Sequence, residues 1–384
     1  MSDADLSGLR ITIVNWRDPW HPQAGGAERY AWQMALGLTR RGARVSYLTA
    51  RAPGQARRER HEDIEIRRLG GQFTVYPLAL ARLLSHRPDA VIDCQNGIPF
   101  FTPLVLSRRT PVVCVVHHVH RDQFGVHFPP WLARFGRFLE GPVARRVYQA
   151  RTSVAVSGST IAAMRDRLRW PGEIHLIPNG MDRAAVEQDK QDEQDEHDDR
   201  ADRLIWVGRL VRHKRAELLL PLAERLKSRH DGMVIDVVGR GAQARSLAEA
   251  VSAAGLEEQV RLRGFLSEAD KQRAVAGAVL HLNTSFGEGW GLCVLEAAAS
   301  GVPTVAFDVD GLRDSVLDGR TGWLVRDGEE FADVVERALK ELSDPERRAA
   351  IAAACRAWAG QFDWDRSVGQ MAALIRAAGA CGSR

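Results

Sequence analysis

Two glutamates, Glu288 and Glu296, stand in the segment Asn283-Thr-Ser-Phe-Gly-Glu288-Gly-Trp-Gly-Leu-Cys-Val-Leu-Glu296-Ala-Ala-Ala-Ser-Gly301-Val-Pro303. Glu288 lies between glycines, so its backbone can come close to a ligand. The N–H groups of residues 289 to 292 open a helix, and a helix start favours negative charge. Glu296 falls about one turn into that helix. A carboxylate there can accept two hydrogen bonds from the vicinal hydroxyls of a ribose. The segment therefore suits a sugar nucleotide, with Glu288 and the main chain of Gly289, Trp290, Gly291 and Leu292 toward a sugar and Glu296 toward the ribose. A purely structural reading has Glu288 capping a helix and Glu296 facing solvent. The glycines, Ser285 and the Ala297 to Pro303 ending make the pattern more specific than the spacing alone.

Such residues need a scaffold that gathers loops. Residues 10–15 read as a strand, a loop with Pro and Gly follows, and 27–41 reads as a helix stopped by Gly42. Strand-like runs recur at 45–49, 90–93, 112–116 and 153–156. The pattern restarts at 204–207 and continues through 233–238, 260–262, 279–282, 304–307 and 323–325. Strands alternating with helices imply parallel sheets covered on both faces. The expected fold class is α/β, two doubly wound Rossmann-like domains with the loops after their strands facing a shared cleft. Residues 187–203 are almost wholly charged or amide-bearing, and are expected to be a solvated linker between domains 1–186 and 204–362. A helix within 363–384 is expected to return to the first domain.

The segment around Glu288 and Glu296 resembles the E-x7-E motif of glycosyltransferase family 4, retaining enzymes of the GT-B fold, and the resemblance covers nearly the whole chain. Gly208-Arg209-Leu-Val-Arg-His-Lys214 is similar to the family's G-R-L-x-x-x-K loop, which implies that Arg209 and Lys214 hold the donor diphosphate; two cations after a strand suit two phosphates. Gly25-Gly26-Ala-Glu28-Arg29 resembles the G-G-x-E loop opening the first helix, where the amides of Gly25 and Gly26 could reach a phosphate or the transferring sugar. His117, after the run 112–116, matches the family histidine that contacts the donor sugar. By the same resemblance Gly264, Phe265 and Leu266 lie beside the nucleobase. Further matches are Val156-Ser157-Gly-Ser159, Ile177-Pro178-Asn179-Gly180 and Val238-Gly239-Arg-Gly241; the last is too short for a dinucleotide fingerprint.

What the resemblance implies is metal-independent, retaining transfer of a sugar from a UDP- or GDP-linked donor to an acceptor hydroxyl, with no cofactor required. Glu288, His117, Arg209 and Lys214 would be its catalytic residues. Retention would come from same-face attack, the leaving phosphate taking the acceptor proton. The alternatives are an epimerase or phosphorylase of the same fold, or a sugar-nucleotide binder without activity. A phosphorylase needs a lysine to anchor pyridoxal, and the chain has only five lysines.

Composition narrows the partners. With 384 residues, 45% hydrophobic and 27% charged, the chain can build two cores. Its longest apolar runs fall far short of the roughly 20 residues that span a bilayer. The polar start of residues 1–10 has no signal-peptide character, so a cytoplasmic protein is expected. Five scattered cysteines suggest buried free thiols. Residues 1–182 hold 25 arginines against 15 acids, net +10, while residues 183–384 are net −6. No nucleic-acid motif accompanies that charge, and none is expected as partner. Residues 134–151 mix apolar and basic positions at helical spacing, which admits either an ordinary amphipathic helix or contact with an anionic membrane surface. The acceptor class stays open among glycan, lipid and small molecule. Metal signals are sparse: His118 and His120 form an H-x-H pair without further ligands, and Asp308-Val-Asp310 follows a strand in a domain already supplied with cations.

Overall fold

The computed structural model describes residues 5–181, 203–230 and 232–382. It divides into two compact units, Met1–Gly180 with Trp364–Arg384 and Met181–Asp363.

Unit 1 is an eight-stranded sheet in the order β3-β4-β2-β1-β5-β6-β7-β8. Its strands are β1 (Arg10–Val14), β2 (Arg44–Thr49), β3 (Arg58–His61), β4 (Ile64–Arg68), β5 (Ala90–Asn96), β6 (Val112–His118), β7 (Thr152–Ala155) and β8 (Ile174–Leu176). All pair in parallel except β3 with β4. The central strands are β-branched runs because both faces are buried. Alternate side chains serve opposite cores: Val113 and Val115 join Ile11 and Ile13 on one face, and Val112, Cys114 and Val116 join Val14 on the other. The first of these faces is covered by the Gly26–Arg40 helix through Tyr30, Met34 and Leu38, and by the Trp364–Gly382 helix through Val368, Met371 and Ile375. These helices touch at Gly37, where a Cβ would sit 2.4 Å from Val368 Cγ2.

The strand pair β3–β4 is absent from the sequence expectation. Its turn, Glu62-Asp63, has positive φ at both residues (47° and 64°) without a glycine, so the usual hairpin signal is missing. The segment 134–151 is not one helix. It is a helix Pro130–Phe138, a π turn Leu139–Val143 containing Pro142, and a helix Ala144–Tyr148.

Unit 2 is a six-stranded, all-parallel sheet in the order β11-β10-β9-β12-β13-β14. Its strands are β9 (Arg203–Val207), β10 (Val234–Val238), β11 (Val260–Gly264), β12 (Leu280–Asn283), β13 (Thr304–Phe307) and β14 (Gly322–Val325). Of the charged segment 187–203, residues 187–202 lie outside the described residues, and Arg203 already opens β9.

Among the parallel strands of each sheet the order reverses once, between β1 and β5 in unit 1 and between β9 and β12 in unit 2. The loops leaving adjacent strands there diverge to opposite faces and open a crevice at the carboxyl ends. Cys94, Cys114 and Cys355 are buried free thiols, and Cys293 is half-buried. No helix among the described residues is long and apolar enough to cross a membrane.

Candidate active site

The unit 2 reversal brings together the loops after β9 and β12. The first begins Gly208-Arg209-Leu210 and lies directly on Val238–Gly241. Gly208 N–H donates to Val238 O (3.0 Å) and Leu210 N–H to Arg240 O (3.0 Å). A Cβ on Gly239 would stand 1.8 Å from Gly208 O, and one on Gly241 2.2 Å from Leu210 O. The two glycines therefore serve backbone-on-backbone packing that holds the cationic loop. Arg209 is half-buried on it and has partners of its own.

The loop then turns through Arg212–Lys214 and is laced to the residues after β12. His213 O accepts from Phe286 N–H (3.1 Å), and Lys214 O accepts from Thr284 Oγ1 (2.6 Å), itself an acceptor for Trp206 Nε1 (2.9 Å). Arg215, at φ 49°, donates to Thr284 O (2.8 Å) with its guanidinium 4.2 Å over the Phe307 ring. The result is an ion pair between Lys214 Nζ and Glu288 Oε1, with Ser285 Oγ donating to the same oxygen at 2.8 Å. Burial pushes the Glu288 carboxyl up, but the charge and hydrogen bond of Lys214, with Ser285, outweigh it and hold the group below its ordinary range. Glu288 is thus an ionised acceptor and a poor acid.

Glu288 is fixed by its backbone too. Its N–H donates to Asp310 O (3.0 Å), and a Cβ on Gly311, at φ 80°, would lie 2.3 Å from its carbonyl oxygen. Gly291, at φ 88°, caps the Leu292–Ala299 helix. The N–H groups of Gly289, Trp290, Gly291, Leu292 and Cys293 make no hydrogen bond within the described residues, and so form a row of donors beside the ion pair. The Trp290 side chain packs into the unit 2 core, 5.1 Å from Phe362, and leaves its main chain for a ligand.

Glu296 is also paired. Lys271 Nζ lies 3.0 Å from Glu296 Oε2 and 2.8 Å from Glu268 Oε2. Burial opposes the Lys271 charge, but Glu296 and Glu268 outweigh it and raise its pKa. Sequence reasoning missed Lys271, whose only signal was its being one of five lysines. At the end of β11, Gly264 takes φ 67°, Phe265 is 66% exposed with Arg240 4.6 Å over its ring, and Leu266 packs inward. Asp308 and Asp310 both face Arg313, at 2.9 and 3.5 Å. No group of three His, Cys, Asp or Glu side chains among the described residues is arranged to hold a metal ion.

In unit 1, the loop after β1 ends in a capped helix. Glu28 is buried, accepts from Gly25 N–H (2.7 Å) and pairs with Arg17 Nε (3.0 Å). This corrects the expectation for Gly25, whose N–H is already engaged; Gly26, the first helical residue, is the glycine whose amide remains. His117 is the penultimate residue of β6, almost fully buried and edge-on to Tyr30 at 5.1 Å. Burial drives its pKa down to about 4, against an upward pull from Glu28, so the imidazole is neutral near pH 7. Its Nε2 has no hydrogen-bond partner among the described residues. The sequence also missed Glu140, wholly buried in the π turn, which accepts from His120 N–H and is pushed by burial up to about 8.

Comparison with known proteins follows these two halves. A Glycosyltransferase Family 4 model matches residues 24–185, and a Glycosyl transferases group 1 model matches 187–358. The chain is 32% identical over 168 residues to the D-inositol 3-phosphate glycosyltransferase of Arthrobacter sp. (strain FB24), an alignment covering 43% of this chain and 40% of that protein. It is 26% identical over 376 residues to the glycogen synthase of Mycobacterium tuberculosis (strain CDC 1551 / Oshkosh), covering 94% and 79%. In fold it is similar to the sucrose-phosphate synthase of Thermosynechococcus elongatus (TM-score 0.79, 19% identity, 97% and 100% covered). It is also similar to Anabaena HepE in complex with UDP and glucose (TM-score 0.71, 20% identity, 96% and 100% covered).

Proposed function

The chain belongs to the GT-B glycosyltransferases of family 4 and group 1 type, and on that premise we propose that it moves a sugar from a UDP- or GDP-linked donor to an acceptor hydroxyl with retention. The observation that carries the reading is the Lys214–Glu288 pair beside the unengaged amides 289–293, at the strand reversal of unit 2. An ammonium has three N–H donors, so Lys214 can keep Glu288 and still meet a phosphate oxygen. With Arg209 and the amides it opposes the charge that grows on the leaving diphosphate, which lowers the barrier to breaking the anomeric bond. We assign that neutralisation to these groups, with no metal ion required. The likeness to a structure holding UDP and glucose supports a UDP-type donor.

Glu288 accepts hydrogen bonds from hydroxyls of the transferred sugar. Its charge is committed to Lys214 and Ser285, which favours same-face attack over a covalent route through a carboxylate nucleophile. Glu296 takes the ribose and the loop from Gly264 to Leu266 the base. In unit 1, Gly26 N–H and the neutral His117 serve a bound sugar or phosphate.

A thermal-shift screen against nucleotide sugars identifies the donor, since a ligand of the native state raises the melting temperature. At saturating donor, Glu288→Gln is expected to lower turnover by about 100-fold, and Lys214→Ala to raise donor KM and lower kcat together. Near-wild-type transfer by Glu288→Gln removes it from the mechanism, and an unchanged kcat in Lys214→Ala removes the diphosphate role.

A further inference from the structure

Unit 1 carries an exposed apolar face outside the residues assigned above. The Pro130–Phe138 helix turns Ala133 and Gly136 inward and leaves Trp131, Phe135 and Phe138 exposed by 71%, 53% and 54%. Spacing of four and then three residues puts the three aromatic rings on one stripe. Gly136 holds the orientation, because a Cβ there would lie 2.8 Å from Phe124 Cε1. Beyond Phe138 the stripe runs into an open groove of about 850 Å³ lined by Leu104, Pro142, Val143, Val147 and Pro171. Leu104 is itself 67% exposed. Water-facing apolar surface so concentrated marks an interaction site.

The charge along this segment is predominantly positive. Residues 129–151 contain five arginines and a single acid, Glu140, which is wholly buried. Arg137 and Arg151 are spent on the fold, donating to Arg121 O (2.8 Å) and to Thr110 O (2.9 Å). Arg134 and Arg146 are exposed, Arg145 lines the groove, and Arg108 and Arg109 are exposed on the loop that Arg151 ties down. Among the described residues none of these five has a carboxylate partner.

We infer that this face docks unit 1 on an anionic lipid bilayer, with Trp131, Phe135, Phe138 and Leu104 entering the interfacial layer and the unpaired guanidinium groups meeting lipid phosphates. A bilayer presents apolar depth beneath a plane of negative charge, the complement of an apolar stripe rimmed by arginine. A second copy of the same face would set arginine against arginine. The docking goes beyond the transfer reaction and stands whether or not that assignment holds.

The test sediments the purified full chain with vesicles of phosphatidylcholine, alone or with about a third phosphatidylglycerol. Binding is expected to the anionic vesicles only and to weaken as salt is raised. Arg145→Glu with Arg146→Glu is expected to lower it by at least about 25-fold, near fivefold per arginine. Trp131→Ser with Phe135→Ser is expected to abolish it. Exposed positions tolerate these changes, so melting temperature and nucleotide-sugar binding should match wild type and keep loss of docking distinct from misfolding. The inference is overturned by equal binding to both vesicle types, by binding to neither, or by vesicle affinity that the variants leave unchanged. It is also overturned by light scattering that shows a solution dimer which Phe135→Ser dissociates.

Discussion

A lysine against each glutamate decides what the two carboxylates can do. The chain has 53 basic residues, nearly all arginine, yet Glu288 and Glu296 are met by Lys214 and Lys271. Lysine is a compact charge with rotatable donors, whereas a guanidinium tends to occupy both carboxylate oxygens at once. Each glutamate can thus be held in orientation while remaining an acceptor for a hydroxyl. Lys271→Met would leave Glu296 largely shielded from water and without that partner, a change expected to cost about 1–3 kcal/mol of stability. It is also expected to raise donor KM with kcat little altered, because a ribose contact is held equally in ground and transition states. Denaturant melts and steady-state kinetics check both; values unchanged from wild type would leave the Lys271–Glu296 contact without a role.

At the scale of elements, loops are positioned by glycines more than by side chains. Gly239 allows β10 to run against the Gly208 carbonyl, and so sets the loop that carries Arg209 and Lys214. Gly239→Ala places a Cβ where the structure leaves 1.8 Å. The loop must move, with an expected loss of more than about 2 kcal/mol and a weaker nucleotide-sugar affinity. Calorimetric titration of the variant would read it; wild-type affinity would mean that the loop adapts freely. The parallel strands and the glycine-rich entry to the Leu292–Ala299 helix were legible, because periodicity and punctuation are local, whereas β6 runs two residues further than the 112–116 run and takes in His117. What was not legible depends on distant packing. Lys271 meets Glu296 only because two helices lie side by side, the Gly25 amide is consumed by a carboxylate three residues on, and the Glu62-Asp63 turn has no glycine to announce it.

At the scale of the molecule, unit 1 is made from two stretches of chain separated by the whole of unit 2. The Trp364–Gly382 helix completes its core and is fastened by Ser367 Oγ donating to Pro178 O (2.8 Å) and by Arg41 pairing with Asp365 (3.0 Å). Met371 is fully buried there, so Met371→Ala is expected to cost about 2–5 kcal/mol. A chain stopped at Asp363 should lose cooperative melting of unit 1, and a sharp, native-like transition in that truncation would refute the dependence. The α/β class and the two parallel sheets were readable from alternating strands and helices, and a last helix returning to the first domain was expected, but no local pattern reports which residues such a helix covers. Timing follows from that arrangement. A ribosome adds about 5–20 residues per second, so Val368, Met371 and Ile375 appear roughly 10–40 s after Gly180. For that interval the nascent chain holds Tyr30, Met34 and Leu38 without their lid, and it is then, rather than in the finished protein, that unit 1 most needs a chaperone.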